Sequence, residues 1–337
     1  MRFGWIDIAK GLGIILVVVG HTKCSNIDFI YSFHMPLFFI IAGFLLNSIK
    51  WKGNIREFII NKFCRLMVPY FFSCVLFYIF WIIIGRNYGE TSEKSISLVK
   101  PLLGVFYGNG FDNWLIFNTP LWFLPCLYVS EILFIWQIKV YGTCIKRLSA
   151  SVIATAIIGY CLSVNSIYLP WGADIALISQ VFLFVGYLIR TNNSISIKMN
   201  KNILFAIGCI ICLTVSYFVN GRVDMNGRQF QKIFLFYLGG IAGSYLTFMV
   251  SHMLEKTRWL CKITKICGKE TLIILVFHAF TFKVVSSILV FVMHMQLKFA
   301  QQSYWFIYSV FGVIFPIVFG LVIKNIRFGK KIFYYVE

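Results

Sequence analysis

The chain has 337 residues, of which 59% are hydrophobic and only 13% are charged. Soluble domains carry about 25% charged residues, so this composition excludes a water-soluble fold and favours a polytopic α-helical membrane protein. The formal net charge is +19, which in a soluble protein would suggest nucleic-acid binding. In a membrane protein Lys and Arg collect in cytoplasmic loops, so we attribute the excess charge to orientation and expect no nucleic-acid partner.

Ten apolar runs are each close to the ~20 residues needed to cross ~30 Å of hydrocarbon. They predict membrane-spanning helices at 5–23, 30–49, 66–85, 120–138, 149–167, 174–190, 202–219, 232–252, 271–292 and 304–324. No small-residue cleavage site follows the first run, which is therefore interpreted as a retained helix and not as a signal peptide. The mixed stretch 86–119 predicts an extramembrane loop with one interfacial helix. We expect residues 1–337 to form a single all-α membrane domain without a separate soluble domain.

The loops between the predicted spans alternate between many and few Lys and Arg residues. The rich segments lie at 50–65, 139–147, 190–201, 256–269 and 324–331. By the positive-inside rule both termini are expected in the cytoplasm, with His21 and His34 toward the outer face. This pattern is typical of a multi-pass protein of the cell inner (plasma) membrane.

Ionisable side chains within the predicted spans are few, and each is a functional candidate because a charge in hydrocarbon is costly. Lys10 and His21 on the first helix lie about 20° apart at ~100° per residue, and Asp7 lies about 40° from His21. This stripe predicts a face that lines a cavity or the bundle interior. Two alternatives stay open: Asp7 and Lys10 as an ordinary interfacial ion pair, and His21 as an interfacial histidine.

The notable ionisable residues of the other spans are His34, Glu131 and His278, with Lys283 further out in the span of His278. His34 begins the helix of the second span, because Pro36 suits a first helical turn, where its missing N–H is not needed. For His34, a helix-capping role is an equal alternative to function. Glu131 and His278 lie deep in their spans, and for both of them structural pairing explains the residue as well as function does. The pair Cys209 and Cys212 lies in mid-helix, which favours packing over metal binding, and no metal site is expected.

The layout of these residues indicates group transfer. A neutral histidine in a dry site is a suitable general base, because its pKa lies near working pH. Lys62 and Arg65, at the inner start of the third span, form a basic rim that suits the phosphates of a nucleotide-containing donor. We therefore infer transfer from a cytoplasmic anionic donor to an acceptor on the outer side.

Several stretches resemble successive signatures of the membrane-bound acyltransferase 3 family. They are "DIAKGLGIILVVVGH", "FIYSFHMPLFFIIAGFLL", "NKFCRLMVPY", "PLWFLPCLYVSEILF" and "ITKICGKETLIILVFHAF". The segments "YLPWGADIALISQVFLFVGYLI" and "VNGRVDM" are similar to the fucose 4-O-acetylase-like branch, which acetylates sugars of surface polysaccharides. The resemblance covers essentially the whole chain.

This resemblance implies an integral-membrane O-acetyltransferase that moves acetyl from cytoplasmic acetyl-CoA to a hydroxyl of a glycan or lipid-linked sugar. His21 resembles the essential first-helix histidine of the family, and Arg65 resembles the basic residue thought to meet the coenzyme phosphates. Lys10 stands where many members have arginine, which keeps the charge but not the bidentate fork.

The resemblance also suggests supporting roles for other positions. His34, Trp122, Glu131 and His278 fall within the family signatures, as substrate-binding or supporting residues. Lys62 is expected beside Arg65 at the coenzyme, and Asp7 with Lys10 would position the donor or orient the site. No metal cofactor is implied.

Two other classes of protein stay in consideration. A transporter or flippase for a glycan or small molecule also needs polar residues within a bundle, but no paired repeats are found here. A scaffold protein would have no need for the ionisable stripe. The sequence leaves open the acceptor sugar, acetyl versus longer acyl groups, an acetyl-histidine intermediate, the side of transfer, and homo-oligomer formation.

Overall fold

The computed structural model describes residues 3–87, 96–142, 144–192 and 203–335. Within these ranges the chain is predominantly helical, and its only β-type pairing is an isolated bridge between Asp224 and Gln229. The all-α prediction is therefore confirmed. Besides the single turn Ser48–Trp51, the described helices are α1 (Gly4–Gly20), α2 (Ile27–Leu45), α3 (Ile55–Gly85), α4 (Val99–Tyr107), α5 (Thr119–Tyr141), α6 (Ile145–Val164), α7 (Pro170–Thr191), α8 (Ile203–Asn220), α9 (Ile233–Leu254), α10 (Arg258–Lys269), α11 (Thr271–Val292), α12 (Leu297–Ser303), α13 (Trp305–Asn325) and α14 (Arg327–Phe333).

Nine helices in the described part of the chain are long and apolar enough to cross a membrane. They are α2, α3, α5, α6, α7, α8, α9, α11 and α13, and each coincides with a predicted span. The remaining predicted span, 5–23, corresponds to α1, which has 17 residues because the helix ends at Gly20. Helix α4 is the helix expected within 86–119. The chain is thus a multi-pass membrane protein.

The helices group into two compact units. The first unit comprises Met1–Leu46, Val181–Met225 and Gln229–Gly320, and the second comprises Asn47–Gln180, Asn226–Arg228 and Leu321–Glu337. Helices α1, α2 and α8 to α12 belong to the first unit, and α3 to α6 with α14 belong to the second. Helices α7 and α13 contribute residues to both.

In the first unit, the backbones of α1 and α10 touch at two glycines. A Cβ atom at Gly11 would overlap the carbonyl oxygen of Thr264, and a Cβ atom at Gly268 would overlap the carbonyl oxygen of Asp7. Any larger residue would force the helices apart, so glycine is what permits this close crossing. The crossing fixes the end of α1 that carries Asp7.

Helix α2 is interrupted just before His34. Pro36 has no amide N–H to donate to the carbonyl of Ser32, so a regular helix cannot continue through this point. Phe33 accordingly has a φ of −145°, and the second helical segment begins at His34 with Pro36 in its first turn. This is the start that the sequence predicts, and the additional turn before it, Ile27–Tyr31, extends the helix.

Packing of Cys209 and Cys212 is also as predicted. Cys209 is buried in an apolar cluster with Phe33 and Tyr245, and Cys212 packs against the same cluster. Both thiols therefore fill space within the first unit.

In the second unit, aromatic side chains bind α4 to its neighbours. The Tyr70 hydroxyl of α3 donates to the carbonyl of Val105 at 2.9 Å, and the Trp171 indole N–H donates to the carbonyl of Phe106 at 2.7 Å. Each aromatic ring thus buries apolar surface while its polar atom satisfies a helix carbonyl. These bonds anchor α4 within this unit.

Candidate functional site

Three of the five histidines of the chain come together in the first unit. The ring centroids of His21 and His278 are 5.0 Å apart in an edge-to-face arrangement. His34 and His278 both interact electrostatically with His21. His34 is 2% exposed and His278 is 0% exposed, whereas His21, at the end of α1, is exposed. One accessible imidazole thus lies beside two enclosed ones.

Each of these histidines bonds to its own helix through Nδ1. This atom lies 2.7 Å from the carbonyl oxygen four residues earlier for His21, 2.8 Å for His34 and 3.0 Å for His278. A carbonyl oxygen can only accept, so Nδ1 carries the proton and, in the neutral ring, Nε2 keeps its lone pair. All three imidazoles therefore direct a basic nitrogen away from the helix that holds them.

The Nε2 atom of His278 is buried and has no hydrogen-bond partner among the residues that the structure describes. A buried polar atom without a partner loses the hydrogen bonds that water would provide, so such atoms are few in native proteins. Here the atom belongs to a ring that contacts the His21 ring. Its unused lone pair makes it a candidate for contact with a ligand or a transferred proton.

A carboxylate and a guanidinium lie near the same cluster. Asp224, in the loop between α8 and α9, acts electrostatically on both His21 and Tyr31. The Tyr31 ring centroid lies 4.9 Å from that of His34, and the Arg222 guanidinium lies 5.3 Å from the Tyr31 ring. None of Tyr31, Asp224 and Arg222 was predicted as a site residue from the sequence.

The loop that carries Asp224 is held by specific hydrogen bonds. The Asn220 side chain donates to the carbonyl of Phe230 at 3.2 Å and accepts from the amide of Lys232 at 2.8 Å. Asp224 and Gln229 exchange two backbone hydrogen bonds of 2.9 Å. A sequence signal for this loop does exist, because "NGRVDMNG" contains two Asn-Gly pairs typical of tight turns around a lone acid.

Asp7 and Lys10 lie toward the other end of α1. Asp7 is 9% exposed and lies at the crossing with α10, while Lys10 is half-buried. Lys10 is about 100° around the helix from Gly11, so it lies to one side of that crossing. Lys10 and His21 therefore lie on the same side of α1, with their positions around the helix axis about 20° apart.

Helix α10 adds a basic surface to the first unit. Its cations recur at helical spacing and share one face, at Arg258, Lys262, Lys265 and Lys269. The Cys261 thiol raises the pKa of Lys265. The Glu255 carboxylate, whose Oε1 lies 3.6 Å from the Lys265 ammonium, raises this pKa as well. Lys265 is therefore charged at neutral pH. This basic face of α10 is a second cationic surface, in addition to the predicted rim of Lys62 and Arg65.

The predicted rim belongs to the second unit, where Lys62 is paired. Its ammonium lies 2.5 Å from Oε1 of Glu131, and the two side chains are 25% and 4% exposed. The second carboxylate oxygen, Oε2, has no hydrogen-bond partner in the described ranges. Glu131 is thus a buried and paired carboxylate, the structural alternative considered from the sequence.

Arg65 and Trp122 occupy different environments in the second unit. Arg65 is exposed on the widened helical turn Phe63–Met67, and Pro69 lacks the amide that would bond to the Arg65 carbonyl in a regular α-helix. Trp122 is 6% exposed in the short 3₁₀ turn that begins α5. Across the described ranges, His, Cys, Asp and Glu side chains form no group of three or more that could bind a metal.

A buried ion pair in the second unit was missed by the sequence analysis. Arg228 Nε lies 2.8 Å from Oδ2 of Asp174, and its Nη2 lies 3.1 Å from Oδ1. Its Nη1 donates to Oδ1 of Asn109 at 2.8 Å, and the Tyr168 ring lies 4.9 Å from the guanidinium. The Arg228 and Asp174 side chains are 2% and 0% exposed. Pairing across 54 residues leaves no local signal in the sequence.

Comparison with known proteins supports one family. A family model described as "Acyltransferase domain" matches residues 3–322. "Nodulation protein NolL" of Mesorhizobium japonicum is 23% identical over 305 residues, which cover 84% of this chain and 77% of that protein. "Nodulation protein NolL" of Sinorhizobium fredii is 26% identical over 114 residues, which cover 30% of this chain and 31% of that protein. No solved structure matches the chain.

The family match extends from the start of α1 almost to the end of α13. It therefore includes the three clustered histidines, eight of the nine candidate spans in full, and most of the ninth. The chain therefore belongs to the acyltransferase 3 family and is a multi-pass membrane acyltransferase.

Proposed function

We propose that this acyltransferase moves acetyl from cytoplasmic acetyl-CoA to a hydroxyl of a surface-polysaccharide sugar. The observation that carries the proposal is His21, an exposed imidazole with a free Nε2 lone pair beside the buried His278 ring. The choice of a sugar acceptor rests on the segments that resemble the fucose 4-O-acetylase-like branch. The excess of Lys and Arg in alternate loops supports donor entry from the cytoplasm.

In the proposed reaction, Nε2 of His21 accepts the proton of the acceptor hydroxyl while the hydroxyl oxygen attacks the thioester carbonyl carbon. The carbon–sulfur bond then breaks, and the coenzyme A thiolate takes the proton from the imidazolium. General base catalysis of this kind contributes ~10²–10⁴-fold. In the alternative route, Nε2 attacks the thioester carbonyl carbon, the carbon–sulfur bond breaks, and coenzyme A leaves as the thiolate. The hydroxyl oxygen then takes the acetyl group from the acetyl-histidine, the bond from carbon to Nε2 breaks, and the hydroxyl proton passes to the thiolate.

Neighbouring groups suit both routes. The bond from Nδ1 of His21 to the Val17 carbonyl fixes the tautomer that leaves Nε2 basic. The carboxylate of Asp224 stabilises the positive charge that forms when His21 takes up a proton. His278 is proposed as a positioning residue, and His34 as part of the wall that excludes water.

Arg65 and Lys62 are proposed to bind the phosphates of the donor, as the resemblance implies. Lys10 and Asp7 are proposed separately as residues that orient α1, the helix that carries His21. Because Glu131 offsets the charge of Lys62, Arg65 would supply most of the attraction. Its planar guanidinium can bind a phosphate through two parallel hydrogen bonds, which an ammonium cannot do.

The test is acetyl transfer by the purified full-length protein. Labelled acetyl-CoA would be supplied with surface polysaccharide prepared from cells that lack the gene. We expect His21→Ala to lower transfer by about 100-fold or more, the lower end expected for loss of a general base. His294→Asn is the matched control, because His294 is exposed and its φ of 54° suits asparagine. Normal transfer by correctly folded His21→Ala protein would exclude His21 from the reaction.

Two further measurements refine the assignment. Mass spectrometry of surface glycans from cells with and without the gene would identify the acetylated sugar. Incubation with acetyl-CoA in the absence of acceptor, followed by peptide mapping, would separate the two routes. An acetyl group on His21 that is passed on when acceptor is added supports the covalent route, and its absence during turnover supports direct transfer.

A further inference from the structure

An apolar groove opens in the first unit between α2, α7, α8 and α9. Its volume is about 200 Å³, and its walls include Val185 and Leu188 of α7, Phe205 of α8 and Phe248 of α9. The Phe205 side chain is 50% exposed, so the groove opens sideways from the bundle. Since all four helices are candidate membrane spans, this opening faces hydrocarbon.

A cation lies at one end of this groove. Arg190 directly follows the groove residues Leu188 and Ile189 on α7, and its side chain is exposed. Its guanidinium lies 4.6 Å from the Phe3 ring centroid and 5.5 Å from the Phe44 ring centroid. These cation–π contacts hold the charge at the mouth of the groove.

Aromatic contacts join the mouth to the groove wall. The Trp5 ring centroid lies 5.1 Å from that of Phe44 and 5.3 Å from that of Phe248, which is a wall residue. The His252 ring lies 4.6 Å from the Trp5 ring. Tryptophan beside a cation at a helix end is typical of the depth at which lipid headgroups begin.

We propose that this groove binds one acyl chain of an anionic glycerophospholipid, with the lipid phosphate on Arg190. Aliphatic and aromatic walls suit a hydrocarbon chain, and an exposed cation at the mouth suits a phosphate. A nucleotide donor would gain little from such walls, because its polar groups would find no hydrogen-bonding partners there. The site is distinct from the histidine cluster, and it does not depend on which acceptor the enzyme uses.

The site is also placed to influence catalysis. Phe3 and Trp5 lie at the start of α1, and His21 follows the end of the same helix. A lipid that packs against these two aromatic residues stabilises the position of α1. Its removal would therefore loosen the helix that carries His21 and lower acyl transfer.

The experiment is native mass spectrometry of the full-length protein with two lipids that have identical acyl chains, phosphatidylglycerol and phosphatidylcholine. The wild type is expected to retain one lipid and to prefer phosphatidylglycerol about fivefold. This ratio is the preference that the attraction between one basic residue and an anionic headgroup would produce. R190Q should abolish the preference, and R190K should keep it. Lys256→Gln, at an exposed basic position after α9, is the matched charge control and should keep it as well.

A second pair of variants tests the groove itself. Val185→Phe adds bulk to a half-buried wall residue and should prevent retention of both lipids. Val215→Phe makes the same substitution at a 41% exposed position of α8 outside the groove and should retain lipid like the wild type. Thermal unfolding of Val185→Phe comparable to that of the control shows that its loss of lipid does not come from misfolding.

Three results would overturn the proposal. One is the absence of a retained lipid in the wild type, and another is an unchanged headgroup preference in R190Q. The third is displacement of phosphatidylglycerol by an equal amount of a polyprenyl phosphate, because the groove would then belong to a lipid-linked sugar carrier. Retention of phosphatidylglycerol against that competitor supports the assignment.

Discussion

Arg228 in the second unit and His278 in the first unit are both polar side chains enclosed by protein, but their hydrogen-bonding groups are used differently. Each guanidinium nitrogen of Arg228 donates to a partner, chiefly Asp174 and Asn109. The Nε2 atom of His278 has no partner within the described chain and lies on a ring that faces His21. A saturated network stabilises one arrangement, whereas an unused lone pair beside an accessible imidazole can take part in chemistry.

The largest effect is expected from breaking the saturated network. Arg228→Ala leaves the Asp174 carboxylate buried without its counter-ion, which should lower the free energy of unfolding by about 3–5 kcal/mol. Denaturant titration of the purified protein measures this loss. The double variant Arg228→Ala, Asp174→Asn removes the stranded charge and should recover part of it. Equal losses in the single and double variants would show that the pair is not what stabilises the second unit.

The substitution His278→Asn tests the Nε2 atom that has no hydrogen-bond partner in the described chain. An asparagine amide can keep the bond that Nδ1 makes to the helix carbonyl, but it has no Nε2 lone pair. We expect kcat for acyl transfer to fall about tenfold to a hundredfold, which is below the full ~10²–10⁴-fold of a general base. Donor affinity and the unfolding midpoint should change little, and the pH profile of kcat/KM should shift. An unchanged pH profile would make His278 a packing residue only.

The backbone crossing of α1 and α10 connects structure with chemistry in the first unit. Gly268→Ala places a Cβ atom against the Asp7 carbonyl oxygen and should destabilise the protein by about 1–3 kcal/mol. Acyl transfer should fall with it, because α1 carries His21. The matched control is Gly208→Ala, where no atom lies within 4 Å of the new Cβ. That helical substitution should leave activity unchanged and stabilise the protein by up to about 1 kcal/mol.

The smallest effect is expected at an exposed ion pair. The Lys100 ammonium lies 2.8 Å from Oδ2 of Asp112, similar to the distances in the Arg228 pair, but the side chains are 35% and 59% exposed. Water screens this pair, so Lys100→Ala should change the free energy of unfolding by less than about 1 kcal/mol. The same denaturant titration applies. A loss as large as that of Arg228→Ala would show that burial is not what separates the two pairs.

Local sequence patterns were sufficient for the helices. Apolar runs located all nine candidate spans of the described chain, and Pro36 marked where the second segment of α2 begins. The boundaries were less accurate: α1 ends at Gly20, earlier than the predicted 23, and α3 begins at Ile55, well before the predicted 66. The early start of α3 has a physical reason, because Ile55–Lys62 is a polar helical stretch that hydropathy does not detect.

The partners of the polar residues were not predictable in the same way. The stripe on α1 indicated His21, and the predicted spans indicated His34 and His278, but only the folded chain brings the three rings together. Lys62 was expected to face a donor. In the folded chain its ammonium contacts Glu131, which lies 69 residues away in the sequence. Nothing near either residue in the sequence specifies that pairing. The orientation of the spans and the catalytic role of each residue stay predictions.

Composition and hydropathy by themselves determined that this protein is a helical membrane bundle, because an apolar segment of ~20 residues has few other stable structures in a bilayer. The motifs along the chain indicated its family. Tertiary structure alone decided that Asp224 acts electrostatically on His21 and that every guanidinium nitrogen of Arg228 has a partner. It also decided that Gly11 and Gly268 allow two backbones to touch. These contacts join residues far apart in the chain, and the free energy that selects them depends on the packing of the whole unit.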